Sequence, residues 1–326
     1  MDGMHRKVLL DKSFLQAEGK PCNRLCLLRK LGCVLVVSDT LVYELLTGGR
    51  PTLWEEAQRK LRPFAAAVEV WRHASELLQE ESKNKSPIKS PMDDDLTARM
   101  TYWLGQGAAP SPAEKESVIA RHRQQREGDS TRAIAKLFER LCVAYPGVAN
   151  CVANAVAKGE TEALRREFAD VLRSDFPVRL AETVISKPAS GAPEIGPQWF
   201  AFQYARSLIA FWFDYLSKTG GKGRSQAPSR DLVNSKFDAE YTMLLNYASA
   251  FATNDSRLAE ICGWLYPEAG RKVFSASKLD LLAPTEGPVR RSAYQIWDRA
   301  GREQGHDLAD GLLAERTLWA GPWDSL

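Results

Sequence analysis

Between residues 7 and 47 the chain twice runs a short apolar segment into a polar residue and then into a helix signal, and this order constrains the fold more than any other feature. Lys7-Val8-Leu9-Leu10 reads as a buried strand closed by Asp11, with Ser13 as a candidate N-cap for a helix starting at Phe14. Asn23 caps the next helix, over residues 24–31, and Gly32 ends it, because glycine takes a left-handed backbone at least cost. Residues 33–37, Cys-Val-Leu-Val-Val, form a second buried strand. Ser38-Asp39-Thr40 then caps a helix over residues 41–47 that Gly48-Gly49 terminates. Strands separated by helices pair in parallel through right-handed crossovers. The expected fold is therefore α/β, a three-layer sandwich with a central parallel sheet. In such a sheet the carboxyl ends of the strands form the ligand-binding edge, and Asp11 stands on it.

From Arg50 to Arg230 the pattern becomes mainly helical. Thr52 with Glu55, and Ser111 with Pro112 and Glu114, read as capping boxes. Amphipathic helices fit residues 132–145, 162–173 and 198–218, the last apolar almost all round, as a core helix should be. Two basic loops interrupt the region: residues 83–92, with two prolines, and residues 220–230, rich in glycine. The α/β pattern returns at residues 237–255. Asp238 is placed to cap a helix carrying Tyr241, Leu244, Leu245 and Ala248, and Ala250-Phe251-Ala252 is a buried strand opening into Thr253-Asn254-Asp255. A helix over 256–265 and a brief strand over 272–274 follow, then two helices over 289–304 and 308–319. The expected organisation is a discontinuous core (1–50 and 230–283), a helical insertion (51–229) and a helical C-terminal extension (284–326).

Several function classes lose support. No apolar run approaches the roughly 18 residues of a membrane span, and the N-terminus holds no signal-peptide core, so a cytoplasmic protein without membrane contact is expected. The net charge of +3 is too small to indicate a polyanionic partner by itself. Cysteines 22, 26, 33, 142, 151 and 262 contain no Cys-x-x-Cys and read as reduced structural thiols. His5, His73, His122 and His306 lie far apart in sequence, with no nucleophile motif beside them, which leaves a triad hydrolase unsupported.

Four acids occupy comparable places: Asp11 after the first strand, Glu44 in the helix after the second, Asp238 at a helix start and Asp255 after a later strand. Glu44 is flanked by Val42, Tyr43, Leu45 and Leu46, where a carboxylate is costly without compensation. Carboxylates gathered at one sheet edge repel unless a divalent cation sits among them, and hard oxygen ligands suit Mg²⁺ or Mn²⁺. Such ions activate water and stabilise charge on a phosphodiester. Ser13, Thr253 and Ser256 are candidates to hold the acids in place, Asp39 reads as a helix cap, and Asp231 and Asp280 are second-rank acids.

Val8-Leu9-Leu10-Asp11, the run from Ser38 to Leu46 around Glu44, and Asp238 to Asp255 with its Thr-Asn-Asp ending resemble the PIN-like nuclease superfamily in order and spacing. The resemblance covers residues 1–50 and 230–283. It implies a metal-dependent nuclease that hydrolyses RNA, or single-stranded or structured DNA, with Asp11, Glu44, Asp238 and Asp255 as both catalytic acids and metal ligands. The chain departs from the compact family pattern in the long segment between Glu44 and Asp238. That segment also offers a surface to a second copy or a regulatory partner.

The acidic centre needs a basic surround, for which Lys83, Lys85 and Lys89 in one loop and Lys222, Arg224 and Arg230 in the other are the leading candidates. Arg121, Arg123 and Arg126, Lys218, and Arg290 and Arg291 are further ones. The alternative reading is a PIN-like module that binds nucleic acid or protein without turnover. A haloacid dehalogenase-type phosphotransferase needs a second aspartate two residues after the first, where this chain has Ser13.

Overall fold

The computed structural model describes residues 6–17, 23–48, 50, 52–128, 131–185, 194–219, 238–266 and 273–275. Lys222, Arg224, Arg230, Asp231, Asp280, Arg290, Arg291 and the two helices expected over 289–304 and 308–319 lie outside the described residues.

The chain opens β1 (Lys7–Leu10), α1 (Lys12–Ala17), α2 (Asn23–Lys30), β2 (Val34–Ser38) and α3 (Asp39–Thr47), the order expected from the sequence. Gly32 has φ +76°, the left-handed stop between α2 and β2. Ser38 Oγ accepts from the Leu41 amide at 3.0 Å, so the cap of α3 is Ser38, and Asp39 is already the first helical residue. α1 begins at Lys12, one residue before Ser13, which is therefore not its cap.

Next come α4 (Leu53–Leu61), a 3-10 turn (Arg62–Ala67) and β3 (Val68–Trp71). β3 lies in the stretch expected to be helical; Ala65-Ala66-Ala67 ahead of it favours helix in the sequence, whereas pairing with β2 makes the strand. Then follow α5 (Ala74–Asn84), α6 (Asp94–Gln106), α7 (Pro112–Gly128), α8 (Thr131–Ala144), α9 (Pro146–Lys158), α10 (Thr161–Arg173), α11 (Phe176–Val184) and α12 (Phe200–Thr219). A helix, α13, whose described part covers residues 238–244, precedes β4 (Ala250–Ala252), α14 (Ser256–Leu265) and β5 (Val273–Phe274). Ser111 and Glu114 form their capping box, with reciprocal bonds of 3.2 and 2.8 Å. Thr52 does not; its hydroxyl bonds Glu56 instead of a backbone amide.

The five strands among the described residues all run parallel, in the order β3-β2-β1-β4-β5. Consecutive residues of a strand point to opposite faces, and Val8-Leu9-Leu10, Leu35-Val36-Val37 and Ala250-Phe251-Ala252 are all fully buried. Both faces of the sheet are thus covered, giving an α/β sandwich of three layers. The chain builds the sheet from β1 outward to β3, then returns to the other side of β1 with β4. The order reverses between β1 and β4, and an open parallel sheet offers its ligand crevice at the carboxyl ends of two such strands. Among the described residues no helix is long and apolar enough to cross a membrane.

α12 is the core of the helical region: Phe200, Ala201, Ile209, Trp212 and Phe213 are fully buried. Its first amides are held by a residue far away in sequence. The Glu81 carboxylate accepts from Phe200 and Ala201 at 2.6 and 2.8 Å and from Ile88 at 3.2 Å. A buried carboxylate at a helix N-terminus meets both the unpaired amides and the positive end of the dipole.

Candidate active site

Register places the acids. Leu10 pairs with Ala252 and the Asp11 amide donates to the Ala252 carbonyl at 3.0 Å, so Asp11 and Thr253 leave neighbouring strands at the same level. Asp11 is 6% exposed. Its Oδ2 accepts from Thr253 Oγ1 at 2.8 Å and from Ser13 Oγ. The backbone closes around the same hydroxyls, with Asn254 donating to Ser13 Oγ at 2.9 Å and Asp255 to Thr253 Oγ1 at 3.0 Å. Ser13 and Thr253 thus hold Asp11 as expected. Ser256 does not; it is exposed at the first position of α14, and no side-chain hydrogen bond joins it to the acids among the described residues.

Glu44 projects from α3 and its two oxygens are engaged separately, Oε1 by Lys12 Nζ at 3.1 Å and Oε2 by the Tyr241 hydroxyl at 2.8 Å. Neither partner was among the expected site residues. Tyr241 shows in the sequence as an apolar position of α13, yet it lies three residues from Asp238 and so on the same helical face. Lys12 immediately follows Asp11.

Asp255 follows β4 as expected and takes on a cap besides. Asp238 is itself helical in α13 rather than an N-cap shown by a side-chain bond, whereas Asp255 caps α14, its Oδ1 accepting from the Leu258 amide at 2.9 Å. The difference arises because β4 ends at Ala252 and α14 starts at Ser256, which puts Asp255 at the junction.

The four acids, drawn from four elements, share one electrostatic environment. Burial pushes the Asp238 carboxyl up to about 8, reinforced by the charges of Asp255, Asp11 and Glu44, with Lys218 opposing. Burial likewise raises Glu44, against Lys12 and Tyr241 and with a further push from Asp11. Asp11 is raised by burial despite the hydrogen bonds from Ser13 and Thr253. Carboxyls that are hard to ionise together suit a cation: the donors are all oxygen, which matches Mg²⁺ or Mn²⁺ rather than a soft metal. As the side chains stand, no three His, Cys, Asp or Glu residues among those described are arranged around one ion position. Their present partners, Lys12 and Tyr241 on Glu44 and the Leu258 amide on Asp255, occupy oxygens that an ion would use.

Of the basic candidates, Lys83 and Lys89 are exposed and Lys85 is half-buried, with φ +52° at the C-terminus of α5. Their loop is tied to the carboxyl end of β3 by the Arg72 amide on the Pro91 carbonyl (2.8 Å) and by a bridge between Trp71 and Met92. Pro91 and Met92, at the end of that loop, thus lie at the carboxyl end of β3. Arg121 instead turns inward to Asp39, Glu76 and Asp93 at 3.5 to 3.7 Å. Cys26, Cys33, Cys142, Cys151 and Cys262 are free thiols. Comparison of the chain with protein-family models, with curated proteins and with solved structures gave no match.

Proposed function

We propose that this protein is a metal-dependent hydrolase of phosphodiester bonds in nucleic acid, RNA in the first place and single-stranded or structured DNA in the second, built on a PIN-like core. The observation that carries the reading is the electrostatic coupling of Asp238 to Asp255, Asp11 and Glu44 by the switch point between β1 and β4, where burial, reinforced by those charges, pushes the Asp238 carboxyl up to about 8. These four acids would hold Mg²⁺ or Mn²⁺. A bound ion of this kind lowers the pKa of water and offsets the charge that builds on the phosphate.

The chain's own groups do the rest. Ser13 and Thr253 hold Asp11 in one rotamer, so a single carboxylate edge is presented at the end of β1. Tyr241 orients Glu44. Lys12, 30% exposed and paired with Glu44, can turn from it toward a bound phosphate. Lys83, Lys85 and Lys89 would supply sequence-independent phosphate contacts.

The test is incubation of the pure protein with labelled single-stranded RNA, single-stranded DNA and flap substrates, in Mn²⁺, Mg²⁺ or EDTA. Cutting in either metal and none in EDTA is expected, with Asp11→Asn lowering it at least a thousandfold. Intact substrates throughout would refute the reading. One contact favours a second reading, a PIN-like binding module without turnover: the Lys12 ammonium already neutralises Glu44. That reading expects RNA binding unaltered by EDTA and no cleavage.

A further inference from the structure

A second set of buried polar side chains lies beside the acids, and the chemistry above does not use it. Asp39, Thr40, His73, His122 and Glu240 are each no more than 4% exposed. Glu240 belongs to α13, two residues after Asp238 and one before Tyr241. Its Oε2 accepts from Thr40 Oγ1 at the start of α3, and its Oε1 meets His73 Nε2 at 3.1 Å. His73 also caps α5: its Nδ1 accepts from the Ser75 amide at 3.1 Å. That bond leaves the ring proton on Nε2, pointing at Glu240. His122, from α7, closes the other side of the His73 ring edge-on, with centroids 4.9 Å apart. His122 itself stacks on Tyr43 at 4.3 Å and has Nε2 3.2 Å from Asp39 Oδ2.

The described part of α13, residues 238–244, is under two turns long and gains its setting from the contacts it makes. Asp238 and Tyr241, three apart, share the face turned to the acids; Glu240 is about a quarter turn round from Tyr241 and faces α5. An apolar residue at 240 would let α13 slide or rotate, whereas a buried carboxylate with two directional partners admits one setting.

We infer that His73 and Thr40 are positioning residues for the acid cluster: by gripping Glu240 they fix α13 so that Asp238 stands among the other acids and Tyr241 reaches Glu44. The segment between β3 and β4 then has a defined part in the site, since α5 supplies His73 and α7 the His122 that braces it. The inference rests on the hydrolase reading for its functional meaning.

Two substitutions divide the functions of His73. His73→Asn keeps an acceptor for the Ser75 amide and loses the donor to Glu240, and His73→Gln keeps a donor at the Nε2 position. Thr40→Val removes the other donor at nearly constant volume. Hydrogen exchange read by mass spectrometry is expected to rise at least tenfold over residues 238–247 in His73→Asn and Thr40→Val, with β1 and β2 unaltered, and to stay within threefold of wild type in His73→Gln. Mn²⁺ titration of the same proteins is expected to show at least tenfold weaker binding for the first two and near-normal binding for His73→Gln. Unchanged exchange over 238–247, a rise spread evenly through the sheet, or unchanged Mn²⁺ affinity in His73→Asn and Thr40→Val would overturn the inference. A wild-type protein that binds no Mn²⁺ would overturn the hydrolase reading alone, and the exchange pattern would still decide whether His73 and Thr40 set α13.

Discussion

The metal-free protein should become less stable as the pH rises from about 5 to about 8, the reverse of what paired carboxylates usually do. Asp238 is the cause. Its carboxyl titrates at 3.8 in an ordinary setting and at about 8 here, because burial and the neighbouring acids disfavour its charge. The folded state therefore holds this proton more tightly than the unfolded chain. Below the unfolded value both states are protonated and nothing is lost. As the pH climbs, the unfolded chain ionises first and gains, and the loss grows until the folded carboxyl also ionises near 8. By then the fold has lost on the order of 5 kcal/mol. Asp11 and Glu44, raised in the same direction, add to the slope with the same sign. Urea unfolding in EDTA at pH 5, 6, 7 and 8, extrapolated linearly to water, measures it. Asp238→Asn should be more stable than wild type at pH 8, closer to it at pH 5, and keep only the part of the slope that Asp11 and Glu44 supply. Mn²⁺ should restore the wild type at pH 8 and leave the variant unmoved. A wild-type stability that is level or rising over this range, or a slope undiminished in Asp238→Asn, would refute the reasoning.

Thr253→Val removes one of two hydroxyl donors on Asp11 and should lower kcat about tenfold with KM nearly unchanged, corresponding to roughly 1.4 kcal/mol; steady-state kinetics on labelled RNA decides it. Glu81→Ala strips the acceptor from three buried amides at Ile88, Phe200 and Ala201 and should cost about 3 to 5 kcal/mol in chemical denaturation, without any direct contact to the acids. Asp255→Asn keeps the cap on α14 and should lose hydrolysis at little cost in stability, whereas Asp255→Ala should lose hydrolysis and about 1 kcal/mol besides; thermal melts beside cleavage assays separate the two effects. Lys83→Ala and Lys89→Ala should each lower the salt slope of RNA binding by roughly one, read from affinities at several salt concentrations.

What was legible in the sequence is what local pattern controls. β1, β2, β4, α12 and α14 fall within a residue or two of their expected bounds, because each is a bounded apolar run or a capped helix. Asp11 and Asp255 were found for the same reason, as acids at strand ends. Long-range pairing left no such trace. β3 is a strand because β2 lies beside it, and neither Val68 nor Val70 announces that in a context of alanines. His73 and His122, 49 positions apart, meet only because α5 and α7 converge, and Glu240 finds Thr40 two hundred residues away. The same limit hid the second part of Asp255: it follows a strand, as its pattern says, but its cap on α14 depends on where β4 ends.

The length of chain between β3 and β4 is less of an obstacle to a shared site than it looks. Closing a flexible connection costs only about 0.6 kcal/mol for each doubling of its length, so a long excursion adds little to the entropy of bringing α13 and β4 back to β1. What such an excursion does demand is a precise return. Two kinds of contact meet that demand here: the ladder fixes β4 through Val8, Leu9 and Leu10, while Glu240 and Tyr241 fix α13 through Thr40, His73 and Glu44. The first sets the level of Asp255 and the second the rotation of Asp238. An acid cluster assembled in this way depends on the buried polar contacts as much as on the sheet, and for that reason the donors to Glu240, rather than the exposed lysines, are the positions where a conservative change should disturb the site from a distance.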